Sequence, residues 1–128
     1  MILNIDDLII NLDEVYLIKF FKNEPNKVNF LLTSKNNLQI KNLSKEKMQK
    51  LIDAIPEKDF LKLRLEAYDS NHKKIFMFVK KSEVIVVRKA KDSGEMILKQ
   101  AIVSFEYKHD LQYETIISNL FGTEMTCI

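Results

Sequence analysis

Two stretches of helical periodicity, each reached through a series of short apolar runs, limit what this chain can fold into. Ser44 is followed by Met48, Leu51, Ile52 and Ile55, the i, i+3, i+4, i+7 spacing of one buried helical stripe. Its hydroxyl suits the N-cap, where the first turn lacks internal acceptors for its amides. Pro56 then stops the helix, because it has no amide and disfavours helical backbone before it. The second stretch places Leu111, Tyr113, Ile116, Ile117, Leu120 and Phe121 on a broad apolar face. Asp110 is its expected N-cap and Gly122 its expected C-cap glycine.

The runs before these helices read as strands. Leu8–Leu12 and Val15–Phe21 come first, the latter β-branched, aromatic and almost continuously apolar. A turn is expected over Lys22–Lys27, a strand over Val28–Thr33 and a short one over Leu38–Leu43. After Pro56, Phe60–Tyr68 alternates cleanly. Leu61, Leu63, Leu65 and Ala67 share one face, and Lys62, Arg64, Glu66 and Tyr68 the other. Lys73–Lys80 and Glu83–Lys89 follow, joined only by Lys81-Ser82, and read as a hairpin at the middle of the sheet with both faces covered. Gly94 is expected in a turn at positive φ. Met96–Lys108 is a long strand or two strands with a break.

This order predicts one α+β domain over residues 1–128. It has a mostly antiparallel sheet of about six to eight strands and two amphipathic helices at about 44–55 and 110–121. The order also suggests a duplicated strand-strand-strand-helix unit, with halves 1–57 and 58–122 and a tail at 123–128. Glu14-Val15-Tyr16-Leu17-Ile18 aligns with Glu83-Val84-Ile85-Val86-Val87, an offset of 69 residues, against about 66 at the helices. The runner-up is a small curved barrel closed by the C-terminal helix. It is similar to a pleckstrin-homology-like domain, from which the Ser44–Ile55 helix departs.

With 46% hydrophobic and 30% charged residues, the composition is that of an ordinary globular protein that needs no staple to fold. The single cysteine, Cys127, cannot form an internal bridge, which favours a reducing compartment. Met1–Asp7 has no basic leader region, and no apolar run approaches a membrane span. A cytoplasmic protein without a membrane segment is expected. Its richness in Lys, Ile and Asn suits an AT-rich bacterial or phage genome.

Catalytic material is sparse. Gly94 and Gly122 are the only glycines, too few for a phosphate loop. His72 and His109 lack an accompanying nucleophile motif, and there are no paired cysteines for a zinc site. Asp6, Asp7, Asp13 and Glu14 lack the glycine and terminal Glu of a calcium loop. The reading is a non-enzyme without cofactor, metal or evident small-molecule substrate.

Charge is uneven around the net +2. Residues 1–18 carry four acids and no base, and residues 58–91 carry ten bases against four acids. Lys73, Lys74, Lys80, Lys81, Arg88, Lys89 and Lys91 lie at the ends of the expected hairpin. They are the candidate contacts of an electrostatic nucleic-acid binder. The near absence of arginine and of aromatic–glycine stacking motifs counts against that reading. Tyr16, Phe21, Tyr68 and Tyr107 are the candidate contacts for protein, if exposed together. The favoured function is therefore a protein-protein interaction module, of bacterial or phage origin, using a sheet edge or the aromatic patch. A homodimer through the same surface is the simplest partner arrangement.

Overall fold

Ser44 caps its helix as expected, its Oγ accepting from the Lys47 amide at 3.1 Å. In the computed structural model that helix, α1, spans Lys45–Ala54. The structure describes residues 1–68, 74–91, 93–122 and 125–128, with backbone alone for 65–68 and 74. Before α1 come β1 (Ile2–Ile5), β2 (Leu8–Asn11), a 3-10 turn (Leu12–Glu14), β3 (Val15–Phe21), β4 (Glu24–Leu32) and β5 (Asn37–Ile40). After it come β6 (Phe60–Tyr68), β7 (Lys74–Lys80), a 3-10 turn (Lys81–Glu83), β8 (Val84–Lys89), β9 (Ser93–Leu98), β10 (Ile102–Glu106) and α2 (Asp110–Phe121). The fold is α+β, with ten strands, all pairings antiparallel, and two helices among the described residues.

The two halves share one order: antiparallel pair, 3-10 turn, three-strand meander, helix. The registers repeat as well. Val15 pairs with Leu32 and Leu17 with Leu31, while Val84 pairs with Leu98 and Val86 with Ile97. Both ladders are interrupted at the same step, between Val15 and Leu17 and between Val84 and Val86. The amide of Thr33 donates to the Glu14 carbonyl, and that of Lys99 to the Glu83 carbonyl. The offset of 69 seen in the sequence therefore holds from the 3-10 turns into β3 and β8.

The halves meet along one ladder, β3 against β7, with Leu17 opposite Val79 and Phe20 opposite Phe76. The large sheet runs β5-β4-β3-β7-β6-β10-β9-β8, and β1–β2 stands apart. In a flat sheet, strands about 4.8 Å apart would hold β8 about 19 Å from β7. Four backbone steps from Lys80 to Val84 reach about 14 Å, so the sheet curls strongly. It does not close: β5 and β8 are both edges, which sets aside the closed barrel.

Eight strands in alternating directions reverse the second half relative to the first, so the helices cover opposite faces. Ile18, Phe20, Phe30 and Phe78 pack with Met48 and Leu51 of α1 in a first core, roofed by Leu3 and Ile10. Leu17, Leu63, Met77, Val79, Met96 and Phe105 form a second core with Ile116 of α2. β3 and β7 contribute to both, which is why they read as continuously apolar.

Several expectations are corrected. β7 and β8 are not a central hairpin: β6, β10 and β9 lie between them, and β8 is an edge. Leaving β7 through a 3-10 turn rather than a two-residue hairpin loop redirects the chain. Gly94 lies within β9, paired with Phe105, and has no positive φ. β1 adds a strand where none was expected, and β4 starts at Glu24, inside the expected turn. Pro25 is tolerated there because β5 reaches only from Val28 onward. The N-cap of α2 is His109, one residue before Asp110, while Gly122 closes the helix at φ +65° as expected.

Candidate functional site

Among the described residues, those singled out for nucleic acid do not gather. Lys73 lies outside the described residues, and only the backbone of Lys74 is described. Lys80 is turned inward: its ammonium donates to the carbonyls of Leu12 at 2.8 Å and Asp13 at 2.7 Å, beneath the Phe60 ring. Lys81 is half-buried in the 3-10 turn. At the far end of β8, Arg88 donates from Nε to Glu95 at 2.7 Å. Lys89 sits 3.6 Å from Asp110 and 4.9 Å from the centre of the Tyr113 ring. Lys91 is exposed.

Among the described side chains, Tyr16, Phe21 and Tyr107 do not form a single patch either. Tyr16 is buried, because the interruption in β3 turns both Tyr16 and Leu17 toward the second core. Burial, and then the charge of the neighbouring Glu83, raise its phenol above the ordinary value. Tyr16 is thus a core residue rather than a surface contact. Phe21 is half-buried under the Lys27 ammonium, 4.3 Å from the ring centre. The Tyr68 side chain lies outside the described atoms. Tyr107 packs against Tyr113 and Phe105 at ring separations of 5.5 and 6.3 Å. The Tyr113 phenol is raised by burial, with Lys89 opposing and Tyr107 adding.

The chemistry-bearing acids are likewise dispersed. Asp6 meets Lys47 at 2.5 Å, Asp13 the terminal ammonium at 3.3 Å, and Glu14 accepts from the Thr33 hydroxyl at 2.6 Å. No metal-holding cluster of three or more side chains forms among the described residues. Among them, too, no helix is long and apolar enough to cross a membrane.

What the fold does assemble is an exposed apolar edge at β8. Ile85 and Val86 are 57% and 41% exposed on a strand with no neighbour on its outer side among the described residues. Val86 pairs with Ile97 and Ile97 with Ile102, which is 62% exposed, so the three form one row across the uncovered face. On the covered face a groove of about 350 Å3 runs between β8 and α2, lined by Val87, Lys89, Tyr113, Ile117, Phe121 and Met125. The other edge, β5, is only four residues long, and Asn37 and Gln39 are its exposed positions.

A protected edge is usually short, charged or covered. β5 fits that description. β8 is apolar at its centre, with Lys81 before it and Arg88, Lys89 and Lys91 at its end. Its open amides and carbonyls can continue the ladder, and its two faces offer different surfaces to alternating side chains. In the sequence, Val84-Ile85-Val86-Val87 carried a signal for this edge that periodicity could not separate from a centre strand covered on both sides. Compared with known proteins, the chain matches no family, no curated protein and no solved structure.

Proposed function

We propose that the chain is a protein-protein interaction module that takes an extended segment of its partner alongside β8. The observation that carries this reading is the β8 edge itself, with Ile85 and Val86 exposed on a strand that has no outer neighbour among the described residues. An added strand gains main-chain hydrogen bonds along the edge. Its alternate side chains lie in the α2 groove on one face and on the Val86–Ile97–Ile102 row on the other. The basic residues at the ends of β8 favour a segment with an apolar centre and acidic flanks.

The test is selection of extended peptides from a displayed library, followed by amide hydrogen exchange on the complex. The expected winners are apolar at the centre and acidic at the ends, and they protect the amides of residues 84–89. N-methylation of one alternating set of peptide amides abolishes binding and of the other set leaves it, as strand addition requires. Protection located elsewhere, or equal sensitivity of both sets, would overturn the reading. A chain that carries nucleic acid at low salt and sheds it at high salt would support the electrostatic alternative instead.

A further inference from the structure

The molecule contains its own example of a strand added to such an edge. β3 is the counterpart of β8, and its outer side is occupied by β7. β7 in turn is the second strand of its half, and its counterpart in the first half is β2. β2 pairs with β1 on one side and with no strand on the other among the described residues. We propose that β2 of a second copy of this chain occupies β8, so that copies join head to tail and repeat between molecules the ladder that joins the two halves within one. This identifies the partner segment of the interaction module and rests on that reading.

The internal ladder fixes the register. Both 3-10 turns and their flanking strands are related by the 69-residue offset, so Ile18 opposite Phe78 becomes Val87 opposite Ile9. Phe20 opposite Phe76 becomes Lys89 opposite Asp7. Phe78 fills the first core beside Phe20, their ring centres 4.8 Å apart. By the same geometry Ile9 of the incoming copy enters the groove beside Val87, between β8 and α2. Ile9 is 75% exposed in the single chain, and nothing in its own molecule accounts for that exposure. Ile10, the counterpart of Val79, is buried in its own core, and Val79 is buried in its own as well.

The charges agree with this register. β2 is an apolar strand with Asp6 and Asp7 before it and Asp13 and Glu14 after it. β8 is an apolar strand with Lys81 before it and Arg88, Lys89 and Lys91 at its end. Antiparallel pairing sets the acidic start of one against the basic end of the other. A chain that keeps acids around one open strand and bases around the other also disfavours pairing of like strands, β2 with β2 or β8 with β8. The contact is heterologous, so it propagates unless the rotation between copies closes a ring.

Sedimentation velocity of the full chain, across concentrations from micromolar to millimolar, tests the proposal. Mass is expected to grow with concentration. Ile9→Ser should weaken association about tenfold or more while the thermal midpoint stays unchanged, since the side chain is exposed in the single chain. Asp7→Lys and Lys89→Asp should each weaken it similarly. An equimolar mixture of those two variants should recover association, because each junction then joins opposite charges; misfolding of a variant would not be repaired by mixing. A chain that stays monomeric while library peptides still bind β8 would overturn head-to-tail joining and leave the interaction module standing. Association indifferent to Ile9→Ser, or not recovered on mixing, would overturn it as well. A monomer that takes no peptide at β8 would remove both.

Discussion

Gly94 and Phe105 face each other across β9 and β10, and the Phe105 ring occupies the space a side chain at position 94 would need. The ring is fully buried in the second core, so it has nowhere to retreat. Glycine here makes room for a close approach rather than for a turn. Gly94→Ala is expected to lower stability by about 1–3 kcal/mol through overpacking. Phe105→Leu on top of it should cost less than the sum of the two changes, a coupling that denaturant titration of the double-mutant cycle measures.

Lys80 ties the halves together at their ladder, its ammonium on two carbonyls of the first 3-10 turn. Lys80→Met keeps the apolar stem and removes both hydrogen bonds. A loss of about 1–2 kcal/mol is expected, read as a lower denaturant midpoint. Stability unchanged by Lys80→Met would mean that water replaces the ammonium without cost.

The sequence showed the helices nearly whole because their signals are local. Ser44 and Gly122 need only their own helix to act, and the stripe through Met48 and Leu51 is visible without knowing what it packs against. The strands of Phe60–Leu63 and Val15–Phe21 were legible for the same reason. Strand neighbours were not. Whether Val84–Val87 sits between two strands or at an edge depends on the 3-10 turn that leads it away from β7, and no periodicity records that. Gly94 misled because the space it leaves is defined by Phe105, a residue in another strand. Tyr16 misled because one interrupted ladder step moves a side chain to the opposite face. The likeness of the two halves is faint in identity and lies in the matching registers of β3–β4 and β8–β9.

Tyr16 should make the fold sensitive to alkali. Its phenol is raised above the ordinary 10.0, first by burial and then by Glu83. A raised value in the folded state favours the neutral form there. The contribution is therefore complete below pH 10 and lost as pH climbs through the raised value. Tyr16→Phe keeps the buried ring and removes the titration. Its thermal midpoint should fall less between pH 9 and 11 than that of the unaltered chain, with the remainder owed partly to Tyr113. Parallel declines would exclude Tyr16 as the source.

Ser44→Ala removes the side-chain acceptor at the start of α1. The expected cost is about 1 kcal/mol, from the Lys47 amide left without its partner. Ser44→Asp should restore most of it, as an alternative cap acceptor. Chemical denaturation of the two variants side by side checks both statements.

The β3–β7 ladder also has a consequence in time. A ribosome delivers β3 early and β7 only after α1 and β6 have been made. Until then the nascent first half carries a bare apolar margin of its own, of the kind that β8 presents in the single folded chain. The same strand that finishes the sheet thus ends a window of exposure during synthesis. A chain stalled before Lys74 would be held at the stage where its sheet is most open to the wrong neighbour.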